Sequence, residues 1–183
     1  MEKIEEELYS EIASRVVIPC VDVILYKLHK GKREVLLLRR AEEPAFGCLY
    51  PIGGAIRKGE FSESAAVRKV KGETGIDARI VRMFGVYETI YGKAQHHKTK
   101  NGLHTINQGF FGVVKENERV TLDNTSSDYE WIKESDVGSL PDYSRQLIQD
   151  SGVFSGATHS ICHRSMNYRC YDFSPFSKLS VLK

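Results

Sequence analysis

No stretch of this chain stays apolar long enough to cross a bilayer, and its opening, MEKIEEELYSEIASR, is acidic where a secretion signal needs a basic start and a greasy core. The expected location is therefore the cytoplasm. Disulfide scaffolding is also lacking: the four cysteines, at 20, 48, 162 and 170, follow no paired framework and are expected as reduced thiols. His159, Cys162, His163 and Cys170 are metal-capable types, but their spacing fits no common zinc module. An excess of charge of one sign is also lacking: 26 basic residues nearly balance 24 acidic ones, and a formal net charge of +2 makes no electrostatic case for nucleic acid or membrane as a partner. Internal repeats and low-complexity tracts are absent as well.

What remains is an ordinary globular composition. With 183 residues and 41% hydrophobic content, the chain can bury one proper core and has no room for a second full domain. The expected organisation is an N-terminal amphipathic helix over 1–15, a central domain over 16–154 and an aromatic-containing extension over 155–183. Ile4, Leu8 and Ile12 recur every four residues and define the helix. The run VVIPCVDVILYKL predicts a strand, HKGK a turn and EVLLLRR the returning strand. Two long strands follow over 78–91 and 103–114, with a shorter one over 128–132. A last helix is expected to begin near Pro141 and to turn Tyr143, Leu147 and Ile148 inward. Mixed strands flanked by helices predict an α+β fold, a three-layer α/β/α sandwich around a mixed β-sheet. In the extension, Tyr168, Tyr171, Phe173 and Phe176 call for a packing surface on the domain or on a second protomer.

The chemistry concentrates in GGAIRKGEFSESAAVRKVKGETGI, residues 53–76. Glycines at 53, 54 and 59 allow the backbone close to a ligand, Ser62 is placed to cap a helix over 62–74, and Gly75 stands where a left-handed residue ends it. Positions 69, 72 and 73 are spaced i, i+3, i+4 and converge on one helical face. Basic residues cluster around the motif at Arg39, Arg40, Arg57, Lys58, Arg68, Lys69 and Lys71, a field suited to a diphosphate.

These spacings resemble the box of the Nudix hydrolases, with Gly54, Glu60, Arg68, Val70, Glu73, Gly75 and Ile76 in their places. Lys69 and Gly72 stand where that box has two further glutamates. In Nudix enzymes those carboxylates, with the one matching Glu73 and the backbone carbonyl matching Gly53, bind the catalytic divalent metal. The resemblance thus implies magnesium held by Glu73 and Gly53, with substrate oxygens and water completing the shell. Lys69 is left with two roles, pairing with Glu73 or neutralising substrate phosphates. Glu60 is expected to pair with Arg68 and hold the loop against the helix, structure first and catalysis second.

Beyond the box, VDVIL around Asp22, LLLRRAEEPAFG around Arg40, and HTINQGF from His104 are similar in register to the GDP-mannose mannosyl hydrolases, over about residues 18–131. That branch also lacks the two glutamates. The resemblance implies a Nudix-type fold, a homodimer, Asp22 and Arg40 facing sugar and diphosphate, and Arg68 orienting the box. The branch's general-base histidine falls on Ser126, a substrate-contacting arginine on Ala55, a histidine on Thr89 and a tyrosine on Thr105.

A hydrolase of this kind needs a base to activate water. Replacements for the missing histidine are Glu88, Asp128, His96, His97 and His104, of which His104 is preferred because it opens a strand in the matched segment. Tyr87, Tyr91, Phe46 and Tyr50 are available to stack on a nucleobase, although aromatics in strands are more often core. The expected function is magnesium-dependent hydrolysis of a nucleoside diphosphate linked to another moiety, foremost a nucleotide-sugar. The alternatives are a nucleotide-binding module without turnover, and attack at phosphorus in another nucleoside diphosphate derivative.

Overall fold

In the computed structural model the described residues are 4–92, 102–155 and, for the backbone, 162–168. The run Ile18–His29 (β1) lies at the centre of the sheet, hydrogen-bonded to β2 (Lys32–Arg40), β4 (Ile52–Ala55) and β6 (Leu103–Val113). A strand covered on both faces reads as continuously apolar. Val21, Val23, Ile24 and Leu25 accordingly have no exposed surface, and Asp22 is the one interruption between them. The β1–β2 hairpin closes through Lys30 and Gly31, both with positive φ (49° and 76°), the backbone a tight two-residue turn demands.

The remaining strands are β3 (Leu49–Tyr50), β5 (Arg79–Tyr91), β7 (Ser126–Ile132) and β8 (Cys162–Tyr168). The order is β3-β2-β1-β6-β5-β8, with β4 on β1 and β7 on β2; the β1/β6 and β5/β8 pairs are parallel, so the sheet is mixed. Residue alternation then assigns the two faces. Val21, Val23, Leu36 and Leu38 pack under helix α2 (Ser62–Thr74), while Ile24, Val35 and Leu37 pack under α3 (Asp142–Ser151). The expected α/β/α sandwich is what forms.

Three local differences have physical causes. Ser62 is the first helical residue instead of the cap: extended Phe61 takes that position, and its carbonyl accepts from the Ala65 N–H at 2.9 Å. Helix α1 (Glu6–Ala13) packs through Tyr9, Ile12 and Ala13, another i, i+3, i+4 set, leaving Ile4 and Leu8 about half exposed at 49% and 53%. Within the final stretch, which lacks clear periodicity, residues 162–168 add a strand to the β5 edge. Elsewhere, Tyr143, Leu147 and Ile148 of α3 point inward, and Gly75 ends α2 in the left-handed region at φ 71°. No helix among the described residues is long and apolar enough to cross a membrane.

Candidate functional site

The end of α2 is fixed by the chain that follows it. Its last carbonyls have no helical partners, and the N–H groups of Thr121 and Asp123 supply them, donating to Thr74 at 2.8 Å and Glu73 at 3.3 Å. From the middle of the helix, Arg68 makes a two-pronged bond to Glu60, Nε to Oε1 at 2.7 Å and Nη2 to Oε2 at 2.8 Å, and a third to the Ala55 carbonyl at 3.1 Å. This guanidinium holds the Glu60 carboxyl well below its usual range, at about 2. The pair ties the glycine loop to the helix. It does not line the cleft described next.

A cleft of about 230 Å³ opens over the Gly53–Gly54 backbone, where the box meets β1, β2 and β6. Asp22, Arg40, Gly53, Gly54, Lys69 and Glu73 all face it. The Asp22 carboxyl is buried beside the glycine pair, and a Cβ on Gly53 would lie only 2.2 Å from its Oδ1. Tyr143 of α3 donates its hydroxyl to Asp22 Oδ2. Burial nonetheless pushes the Asp22 carboxyl up from the usual 3.8 to about 7, opposed by the Tyr143 bond and the charge of Arg40. Arg40 donates from Nε to the Pro44 carbonyl at 2.6 Å and lies 5.7 Å from the centre of the Tyr50 ring. Tyr50 in turn stacks on Tyr143 at 5.2 Å and shares a hydroxyl bond with Tyr91.

Lys69 closes the floor. Its ammonium lies 2.5 Å from Glu73 Oε1, an i, i+4 ion pair in which both side chains are largely buried. A hydrogen bond from the Gly53 backbone also favours the ionised Glu73 carboxylate. Desolvation raises the Glu73 pKa and the ammonium draws it back. Against Gly54, whose φ of 140° suits glycine alone, a Cβ would meet Lys69 Cε at 2.8 Å and Nζ at 2.9 Å.

The NUDIX domain family matches residues 18–150 of this chain. The chain belongs to the Nudix family. An ADP-ribose pyrophosphatase of Methanocaldococcus jannaschii is 38% identical over 69 residues, a match spanning 38% of each chain. In crystal structures, the NUDIX domain of Shewanella oneidensis NrtR complexed with ADP ribose is similar at a TM-score of 0.61 and 19% identity, covering 75% of this chain and 87% of that one. A Caenorhabditis elegans Ap4A hydrolase binary complex is similar at a TM-score of 0.61 and 20% identity, covering 76% and 98%. At these identities the structural likeness shows the Nudix fold alone.

Nudix hydrolases generally use a divalent metal, yet the donor set of this chain does not fit a resident one. Among the described residues no three Asp, Glu, His or Cys side chains converge as ligands. The sole carboxylate of the box face, Glu73, already carries the Lys69 ammonium on one oxygen. A divalent ion about 4 Å from that ammonium would meet repulsion on the order of 8 kcal/mol at an effective dielectric near 20. The glycine at 72 leaves the position open, since a Cβ there would touch nothing within 4 Å.

His104 is not at the site. On β6 the side chains of Leu103, Thr105 and Asn107 face the cleft, so period-two alternation turns His104 to the opposite side, where its ring meets Glu88 at 2.8 Å. Glu88 goes with it. Asp128 is exposed and outside the cleft lining. His96, His97, His159 and Cys170 lie outside the described residues, as do the side chains of Cys162 and His163. Cys20 and Cys48 are free thiols.

Ser126 lines the cleft, opposite Arg40 in the β2–β7 register. Thr89 and Thr105, at two of the positions that depart from the resembling branch, are cross-strand partners whose hydroxyls bond each other at 2.6 Å. Tyr143, Tyr9, Asn107 and Thr125 also line the cleft and were not singled out from sequence. Alternation from Thr105 would have found Asn107. Tyr143 carried no local signal beyond an inward position, because its role depends on where α3 docks.

Proposed function

We propose that this chain is a hydrolase of a nucleoside diphosphate linked to a sugar. The observation that carries this reading is the convergence of Lys69, Arg40 and Asp22 on the Gly53–Gly54 backbone within one cleft. Two cations and a bare glycine surface suit a diphosphate, whose negative charge grows as one phosphate departs. Asp22 is the cleft carboxyl placed to accept a proton from the attacking water. A cleft of about 230 Å³ is smaller than the roughly 300–1,000 Å³ that encloses a whole drug-sized ligand, so it suits the diphosphate and sugar better than a complete nucleotide.

The relative described as an ADP-ribose pyrophosphatase supports this substrate class, as does the layout shared with the GDP-mannose mannosyl hydrolases around Asp22 and Arg40. Turnover of ADP-ribose, GDP-mannose and other nucleoside diphosphate sugars in oxygen-18 water tests it. Label in a phosphate product assigns attack at phosphorus, and label in the free sugar assigns attack at the anomeric carbon. Saturable binding of every compound without turnover would replace the enzyme with a nucleotide-binding module.

The exposed Leu8 of α1 and Ile4 just ahead of it support a homodimer that covers them. A particle at the monomer mass of 20.7 kDa across a concentration series in sedimentation equilibrium would reject it.

A further inference from the structure

We propose that Lys69 is the resident cation of this site, so that the cleft binds a diphosphate without any divalent metal. The proposal rests on the nucleoside diphosphate reading given above and assigns what supplies the positive charge there. In a box with three carboxylates on the helix face, a metal ion balances those charges and passes the remaining attraction to the substrate. Here one carboxylate survives, and a side chain of opposite charge on the same face, one turn earlier, sits directly on it. The acid is balanced from within the chain.

Three features make the ammonium a built site and not a loose surface pair. Glu73 is buried, and its side chain is 10% exposed against 23% for Lys69, so neither charge is simply solvated. A buried acid needs a partner, which anchors the lysine. Gly54 supplies the floor on which Lys69 rests: the ammonium lies 2.9 Å from where a Cβ would stand, so no other residue fits there without moving it. Lastly, an ammonium has three N–H donors, and Glu73 Oε1 takes one. Lys69 also faces the cleft that Arg40 enters from β2. Phosphate oxygens accept what Glu73 leaves.

Gly72 completes the exchange. It is exposed, and a side chain there would meet open space, so packing does not dictate the loss of a carboxylate. With the lysine in place, a second acid would only compete for it. Lys69 and Gly72 therefore form one unit, and restoring acids at both should recreate a metal-requiring face.

Calorimetric titration of the full chain with inorganic pyrophosphate and with ADP-ribose, in EDTA and in magnesium, tests the proposal. Wild type should bind with affinities that agree within about twofold in the two buffers, and Lys69→Met combined with Glu73→Gln, which leaves no unpaired buried charge, should weaken both ligands by at least about tenfold. Thermal melts of the same samples establish that the double variant is folded. A separate titration with manganese, followed by water-proton relaxation, should show no stoichiometric site in wild type and a new one in Lys69→Glu combined with Gly72→Glu. Stoichiometric manganese on wild type, or ligand binding that EDTA abolishes and magnesium restores, overturns the proposal. Unchanged affinity in the charge-free double variant overturns it too. If pyrophosphate binds in EDTA and loses affinity with Lys69 while no nucleotide sugar binds, Lys69 keeps its role and the substrate reading falls. If neither ligand binds under any condition, both fall.

Discussion

Asp22 is a buried acid whose titration couples stability to pH. Its carboxyl titrates at about 7 in the folded chain and near the usual 3.8 when unfolded. Between those values the folded state holds a proton that the unfolded state has released, so this group makes stability fall as pH rises through that window. At roughly 1.4 kcal/mol per unit, the loss is about 4 kcal/mol as an upper bound. Asp22→Asn should remove that slope, which urea melts at about pH 4 and about pH 8 will measure. Tyr143→Phe deletes the hydroxyl that stabilises the ionised acid, so it should move the window upward and cost stability chiefly on the alkaline side. Glu60 behaves with the opposite sign. Arg68 holds it at about 2, so its contribution is present above the ordinary carboxyl range and lost progressively as pH falls from that range through about 2.

At the scale of the element, α2 combines a weak interior with strong ends. Gly72 occupies an ordinary helical position with open space at its Cβ, so Gly72→Ala should stabilise the chain by about 0.5–1 kcal/mol in denaturant titration. Gly75→Ala should do the reverse by about 1 kcal/mol, because φ is 71° there and Thr121 Cβ stands 3.4 Å from the added atom. Arg68→Lys retains charge but loses the fork that grips both Glu60 oxygens. It is expected to raise the KM for a nucleotide sugar more than it lowers stability, since the loop it releases carries the glycine floor.

Across the whole molecule, the sheet lies between two cores and the cleft borrows from both. α2 brings Lys69 and Glu73 from one side, and α3 brings Tyr143 from the other. Damage to a distant core should therefore reach the site. Leu147→Ala, at a fully buried position of α3, should cost about 2–5 kcal/mol and also weaken ligand binding by shifting Tyr143, as equilibrium unfolding and calorimetry on the same variant will show. Unaltered affinity after that loss of stability would mean that α3 docks independently of the cleft.

Local chemistry by itself determined the box helix, the left-handed stop at Gly75, the β1–β2 hairpin, the inward face of α3 and the layered mixed sheet. Each follows from periodicity or from a backbone preference that neighbouring residues already express. The Arg68–Glu60 tie was implied by the resemblance to the Nudix box, and the convergence of Lys69 with Glu73 by their i, i+4 spacing on one helix. Tertiary structure alone decided the rest. Strand register turned His104 and Glu88 away from the cleft, the docking of α3 delivered Tyr143 to Asp22, and desolvation made the Lys69–Glu73 pair a buried one. Those outcomes depend on which faces meet in the folded chain, as where Tyr143 meets Asp22 from 121 residues away, so side-chain burial and charge are set by neighbours that no local window contains.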